Sequence, residues 1–274
     1  MASYTISRLL DLPFYTEGPA VDADGNLYFT TLTGGTIGRL GTDGQYRPWG
    51  QAGCPNGQSI LPGGEHWVCD TGKAAISRFS PQGEWLGHII QASCAGVAFD
   101  TPNDLVVDAA QHLYFSDSVR ENGKVCFVGA GGEQRIVAAG LDYANGLVLS
   151  ADGSRLFVAE SYRNRILHIA LSGPGVAAGP PEVFAELPFN HNGYNLPDGL
   201  AVDRQGRLWV AHYGMQAVHV LSETGELLFT IDTGMPLVSN LCITADNEEG
   251  QTILVTGGYG EPGPGALLEI KIKG

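Results

Sequence analysis

Glu17-Gly18-Pro19-Ala20-Val21-Asp22, followed by Leu27-Tyr28-Phe29, returns along the chain in altered form. Asn103-Asp104-Leu105-Val106-Val107-Asp108 precedes Leu113-Tyr114-Phe115, and Asn145-Gly146-Leu147-Val148-Leu149-Ser150 precedes Leu156-Phe157-Val158. Asp198-Gly199-Leu200-Ala201-Val202-Asp203 precedes Leu208-Trp209-Val210. Each copy reads as a short apolar strand, a turn and an aromatic strand. Asp-Gly pairs such as Asp24-Gly25 and Asp43-Gly44 sit between apolar runs and mark hairpins, because such turns need positive φ. Weaker copies open at Asn56-Gly57 and near Ser239-Asn240, which gives six openings.

A period of roughly 40 to 50 residues holding four strands is the signature of propeller blades. The expected fold is therefore all-β: a six-bladed β-propeller with four antiparallel strands per blade, in one domain spanning residues 1–274. The sixth repeat stops after its strand at 266–272, one strand short, while residues 4–10 form a lone strand before the first repeat. The lone strand is expected to complete the last blade and close the ring. A β-sandwich would need alternation without this long repeat. Residues 173–181 read as a surface loop of the fourth blade, and 188–197 and 257–265 as irregular stretches able to overhang one end of the ring.

With 29 acidic against 15 basic residues, a formal charge of -14 opposes phosphate backbones and anionic membrane surfaces, so neither nucleic acid nor membrane is an expected partner. The five cysteines are scattered without Cys-x-x-Cys spacing and read as free thiols. The first fifteen residues hold one positive side chain, Arg8, and no apolar stretch of leader length. No other run is long and apolar enough to span a bilayer, so a cytoplasmic protein, monomeric or weakly oligomeric, is expected.

In a propeller the innermost strands line the central channel, so residues that open those strands meet around the axis. Here that ring holds Glu17, Asn103, Asn145 and Asp198, with Asn56 and Asn240 as further members. Asn and Asp before Gly are ordinary turn formers, but Glu17 is not. Two carboxylates and two carboxamides facing one another are costly to bury without a cation. An all-oxygen set suits one hard divalent cation, calcium first, with magnesium, manganese, zinc or iron as alternatives. A dication with open positions can polarise a carbonyl or phosphoryl oxygen, which makes hydrolysis the natural reaction class. Asp198, in the tight Pro197-Asp198-Gly199 turn, is the candidate base or nucleophile. Asp22, Asp108 and Asp203 recur inside the hairpins and read as structural. His191, in the loop before Asp198, and Tyr213, after the Trp209 strand, are candidates to line the pocket, with His212, Tyr162 and Tyr259 behind them.

The motifs Glu17-Gly18-Pro19, Pro102-Asn103-Asp104, Asn145-Gly146-Leu147 and Pro197-Asp198-Gly199, in this order at blade spacing, resemble those of the SMP-30/gluconolactonase/luciferin-regenerating-enzyme family of six-bladed propeller hydrolases. The resemblance covers essentially the whole chain. It implies Glu17, Asn145 and Asp198 as direct ligands of a catalytic divalent cation, with Asn103 a further ligand or a holder of water and substrate. It also implies Asp198 as general base during opening of a sugar lactone, and Asp104 as the residue that fixes Asn103. Thr101 stands where the family's sugar lactonases carry an Arg that holds hydroxyls, which makes it a candidate to line the substrate pocket, and Thr30-Thr31 where many members have an acidic residue. The expected activity is thus a metal-dependent carboxylic ester hydrolase opening small lactones. The alternatives are organophosphate or aryl ester hydrolysis at the same metal, and a non-catalytic ligand-binding propeller with a structural cation.

Overall fold

The structure is a computed structural model that describes residues 3–273, so Met1, Ala2 and Gly274 of the expected 1–274 domain lie outside the described residues. It is all-β, with two single-turn 3-10 segments, Thr71–Lys73 and Ser161–Arg163, as its helical elements among those residues. The first repeat folds as Glu17–Val21, Leu27–Thr31, Thr36–Leu40 and Tyr46–Gln51, each strand antiparallel to the next. The second runs Pro55–Ile60, His66–Asp70, Ala75–Phe79 and Trp85–Gln91, and the third Pro102–Val107, Leu113–Asp117, Gly123–Val128 and Gln134–Leu141. The fourth is Ala144–Leu149, Arg155–Glu160, Arg165–Gly173 and Glu182–Glu186, and the fifth Leu196–Val202, Leu208–Tyr213, Ala217–Leu221 and Leu227–Asp232. The sixth contributes Leu237–Asn247, Gly250–Gly258 and Gly265–Lys273. The fifth and sixth sheets are joined through a single bridge between Tyr213 and Leu237.

The lone N-terminal strand, Tyr4–Leu12, lies antiparallel to Gly265–Lys273, paired from Tyr4 opposite Ile272 to Leu12 opposite Gly265 with a bulge between Arg8 and Leu10. The first strands of consecutive repeats touch one another in chain order, and that of the sixth, Leu237–Asn247, touches that of the first. Between neighbouring sheets lie separate apolar layers. Trp209, Val218 and Val220 of the fifth pack with Ile253, Val255 and Leu268 of the sixth, while Val125 and Phe127 of the third pack with Leu156 and Val158 of the fourth. The period-2 pattern of the sequence places these side chains on the faces that meet a neighbouring sheet.

The hairpin aspartates are structural: Asp22 Oδ1 accepts from the backbone N–H of Asp24 and Asn26, and Asp108 and Asp203 repeat the arrangement. The stretch 173–181 is more ordered than a plain loop. Val176–Ala177 pairs back onto Leu171 and Gly173, and the Gly175 N–H donates to the Tyr114 hydroxyl. All five cysteines are free, three buried and two half-buried. Among the described residues no helix is long and apolar enough to cross a membrane.

Removing residues 1–12 would expose the edge of Gly265–Lys273 and strip Ile6, Leu9, Leu10 and Leu12 from the apolar layers. The truncated protein is expected to aggregate or to melt at least about 10 °C lower by circular dichroism. An unchanged midpoint would show that this strand carries no part of the fold.

Candidate active site

Close approach between neighbouring first strands places the polar side chains. A Cβ on Gly146 would stand 2.1 Å from the Asp198 carbonyl oxygen, and one on Gly199 would stand 2.0 Å from Asn240 Oδ1. Gly18 and Gly57 are pressed in the same way against Asn56 and Asp104. No side chain larger than hydrogen fits at these positions, which explains why Gly follows the first letter of the repeat in four of its copies. In the third repeat the position holds Asp104 instead, whose carboxylate fills space beneath the axis and accepts from the Asn240 amide at 3.3 Å.

In the second, third and fourth repeats the entry into the first strand is fastened by the end of the second strand. Asp70 accepts from the N–H groups of Gly53 and Cys54, and Asp117 from those of Asp100 and Thr101. Glu160 does the same for Asp142. Hydroxyls just beyond add a link to the next repeat: Thr71 donates to the Pro102 carbonyl, Ser118 to that of Ala144 and Ser161 to that of Pro197. Pro102, Ala144 and Pro197 each precede a ring residue, so these bonds set where Asn103, Asn145 and Asp198 stand. The same acids are legible in the sequence as the last letter of the runs ending in Asp70, Asp117 and Glu160.

Glu17, Asn56, Asn103, Asn145, Asp198 and Tyr213 all line one cavity of about 310 Å³ at the opening ends of the first strands. Its walls add Tyr15, Tyr143, Tyr162 and Tyr194, and its rim holds Glu261. Glu261, from the 257–265 stretch, was not singled out from sequence; the loop was, but nothing in it distinguished this residue. Tyr213 bonds to Glu261, and burial together with that charge pushes its phenol up to about 12.

Three sequence candidates fall elsewhere. Thr101 does not line the cavity, because its N–H is bound by Asp117 and its carbonyl accepts from Ser118. His191 is exposed on the 188–195 loop, its ring edge-on to Phe189 at 4.9 Å. Asn240 lies beneath the ring: its side chain bonds to the carboxylates of Glu17 and Asp104, and it lines a cavity at the other end of the channel. Val238 pairs with Gly257 and Leu241 with Val255, as Pro102 pairs with Asp117 and Leu105 with Phe115. That register matches Ser239, not Asn240, to the ring position, and the Ser239 hydroxyl is already engaged with Thr16 and Thr256. His212 is buried and bonded to His219, and Thr30 donates to the Asn56 carbonyl, so both serve the framework.

The cavity is strongly acidic. Burial first and the neighbouring Asp104 charge second push the Glu17 carboxyl up to about 8. Burial, then Glu17, Asp104 and Glu261, raise Asp198 well above the ordinary carboxylate range. Burial raises Asp104 to about 6. No Lys, Arg or His is among the lining residues. The amide nitrogen of Asn145 donates to the Ser161 hydroxyl at 3.1 Å, which leaves its Oδ1 buried without a partner, and Asn56 Oδ1 is orphaned likewise. Uncompensated buried carboxylates beside unsatisfied carbonyl oxygens are the donor set of a hard cation. Among the described residues no three His, Cys, Asp or Glu side chains cluster as a metal site, so a cation here would rely on the carboxamides.

A ring of four-stranded sheets around an acidic, oxygen-lined axial cavity defines a propeller-type protein with a candidate site on its axis. The chain belongs to the SMP-30/Gluconolactonase/LRE-like family, whose profile matches residues 15–257. It is 30% identical over 236 residues to a gluconolactonase of Zymomonas mobilis, covering 79% of this chain and 63% of that protein, so it spans just under two thirds of the relative's length. A solved gluconolactonase of Xanthomonas campestris superposes with a TM-score of 0.83 at 25% identity, over 98% of this chain and 90% of the other. A calcium-binding regucalcin of Agrobacterium tumefaciens shares the fold, with a TM-score of 0.80 at 17% identity, over 99% and 95% of the two chains.

Asp117 also pairs with Lys124, both buried. Replacing Asp117 by Asn leaves that ammonium without a counter-charge and is expected to cost about 3–5 kcal/mol in urea unfolding. Adding Lys124→Met should recover part of the loss. A cost for the single variant no larger than about 1 kcal/mol, the range of exposed pairs, would contradict this role.

Proposed function

We propose that this chain is a divalent-metal-dependent lactonase built as a single six-bladed β-propeller over residues 1–274, closed by its N-terminal strand. The observation that carries the reading is the pairing of two buried, uncompensated carboxylates, Glu17 and Asp198, with the orphaned oxygens of Asn56 and Asn145 on one cavity. Glu17, Asn145 and Asp198 would hold the cation, with Asn103 or Asn56 completing the set. Calcium fits an all-oxygen site of this kind first, and the regucalcin relative is described as calcium-binding. The Zymomonas relative is named for gluconolactone opening, which supports a lactone as substrate.

When bound, a dication supplies Lewis-acid polarisation of the lactone carbonyl and lowers the pKa of water. Asp198, held by the Pro197 carbonyl link to Ser161, is placed to take the proton of the attacking water. Water adds to the carbonyl carbon, the ring C–O bond breaks, and the departing ring oxygen takes up a proton to give a hydroxy acid. Asn103 lines the cavity and would offer its amide N–H groups to a substrate oxygen. The tyrosine walls suit an uncharged lactone with an apolar ring face, and Glu17, Asp198 and Glu261 repel anionic ones. With Thr101 turned away, no side chain at that position holds sugar hydroxyls, so lactones other than sugar lactones belong in the substrate class.

Glu17→Gln and Asp198→Asn are expected to lose bound metal and at least about 10²-fold in kcat/KM on a lactone panel, with the fold intact by circular dichroism. Greater turnover on an organophosphate or aryl ester panel would move the assignment to those esters. Full metal content without turnover on either panel would leave a binding protein with a structural cation.

The chelated protein should lose stability as pH rises from the ordinary carboxylate value of 4.5 through about 8, because folded Glu17 holds a proton that the unfolded chain has released. Added calcium should flatten that slope, and Glu17→Gln should abolish the part due to this residue. A slope unchanged by both calcium and Glu17→Gln in thermal melts would remove the cation from the account.

A further inference from the structure

A second cavity, of about 540 Å³, opens between the first two sheets at the far end of the first strand from Glu17. Comparing the two repeats shows what it lacks. Arg78 of the second sheet stands opposite Trp67, and Arg39 of the first stands opposite Tyr28, at matching places. The Arg78 guanidinium is closed by Glu65, two residues before Trp67, through bonds of 2.6 and 2.9 Å to the two carboxylate oxygens. The first repeat has Asn26 in the place of Glu65, and its amide is turned to Asp22 Oδ2 at 2.8 Å.

Arg39 is thereby left without the acid that its counterpart uses. Among the described residues its Nε is buried with no hydrogen-bond partner, and its side chain borders the cavity. Asp22 does not substitute, because Oδ1 accepts from the Asp24 and Asn26 N–H groups and Oδ2 from the Asn26 amide and the Tyr28 hydroxyl. Facing Arg39 is an aromatic wall: the Trp49 and His66 rings lie 4.2 Å apart, Tyr28 and His66 4.6 Å, and Tyr28 and Trp49 5.3 Å.

We propose that this cavity binds a small organic monocarboxylate with a flat apolar body, the carboxylate pairing with Arg39 as Glu65 pairs with Arg78 and the body lying against Trp49, the one ring of the three that is not buried. A planar guanidinium fork matches a carboxylate bidentately, and an aromatic face supplies the apolar contact. Asp22 and Asp24 at the cavity edge disfavour ligands of higher negative charge. The site is separate from the lactone cavity and does not depend on its chemistry.

The test is calorimetric titration of the metal-loaded protein with benzoate, its neutral analogue benzamide and inorganic phosphate. Benzoate should bind at one site with Kd of about 1 mM or tighter, and benzamide and phosphate at least about 10-fold more weakly. Arg39→Gln should weaken benzoate at least about 10-fold. Asn26→Glu, which supplies the internal partner seen in the second repeat, should block benzoate. Lactone turnover should be unchanged in both variants. Absence of a saturable benzoate signal, equal binding of benzamide, or benzoate binding unaffected by Asn26→Glu would overturn the proposal. Loss of benzoate binding in Glu17→Gln with retention in Arg39→Gln would overturn it too, by placing the ligand at the axial cation.

Discussion

The arrangement depends on how closely neighbouring first strands approach. At Gly146 and Gly199 the gap to the next strand is smaller than a methyl group, and this contact brings residues far apart in sequence to one axis. Polar side chains that would be solvated on an isolated hairpin are forced together and away from water. Glu17 and Asp198 become mutually repelling buried acids, and the Asn56 and Asn145 carbonyls lose their partners. The same packing that stabilises the fold thus creates an electrostatic deficit at its centre, and a cation is the simplest group that offsets it.

A site of this kind functions only if its donors are held still. The acids closing three of the second strands, Asp70, Asp117 and Glu160, bind the backbone just ahead of the ring residues, and Thr71, Ser118 and Ser161 tie the second, third and fourth repeats to their successors. Position is therefore set by backbone bonds in the framework rather than by contacts among the ring side chains. A perturbation in one sheet is passed to its neighbour through the carbonyl of a residue adjoining a candidate ligand.

The repeat made the all-β architecture legible, since Asp-Gly turns and aromatic strands are local signals that survive in each copy. Co-location of Glu17, Asn103, Asn145 and Asp198 followed from the same periodicity. The sixth copy was misaligned by one residue. Its phrase lacks the Gly that marks four of the others, and the bulge in the strand sets Ser239 rather than Asn240 at the ring position. The family's Arg position marks Thr101 and the loop leading into Asp198 marks His191, but backbone bonds hold the first away from the cavity and an exposed loop carries the second outward. Glu261 arrives from a non-repeating loop that folds over the opening, where periodicity offers no information.

Lactone opening needs a polarised carbonyl, a base and a cavity that admits a small ring, and the axial site joins candidates for all three. The central claim is that its oxygens hold one divalent cation. Anomalous diffraction from crystals soaked in manganese tests it most directly. A single strong peak bounded by Glu17, Asn145 and Asp198 is predicted, and its disappearance in Asp198→Asn crystals would follow. Crystals of the wild-type protein with no peak on the axis, or with manganese bound only elsewhere, would contradict the account.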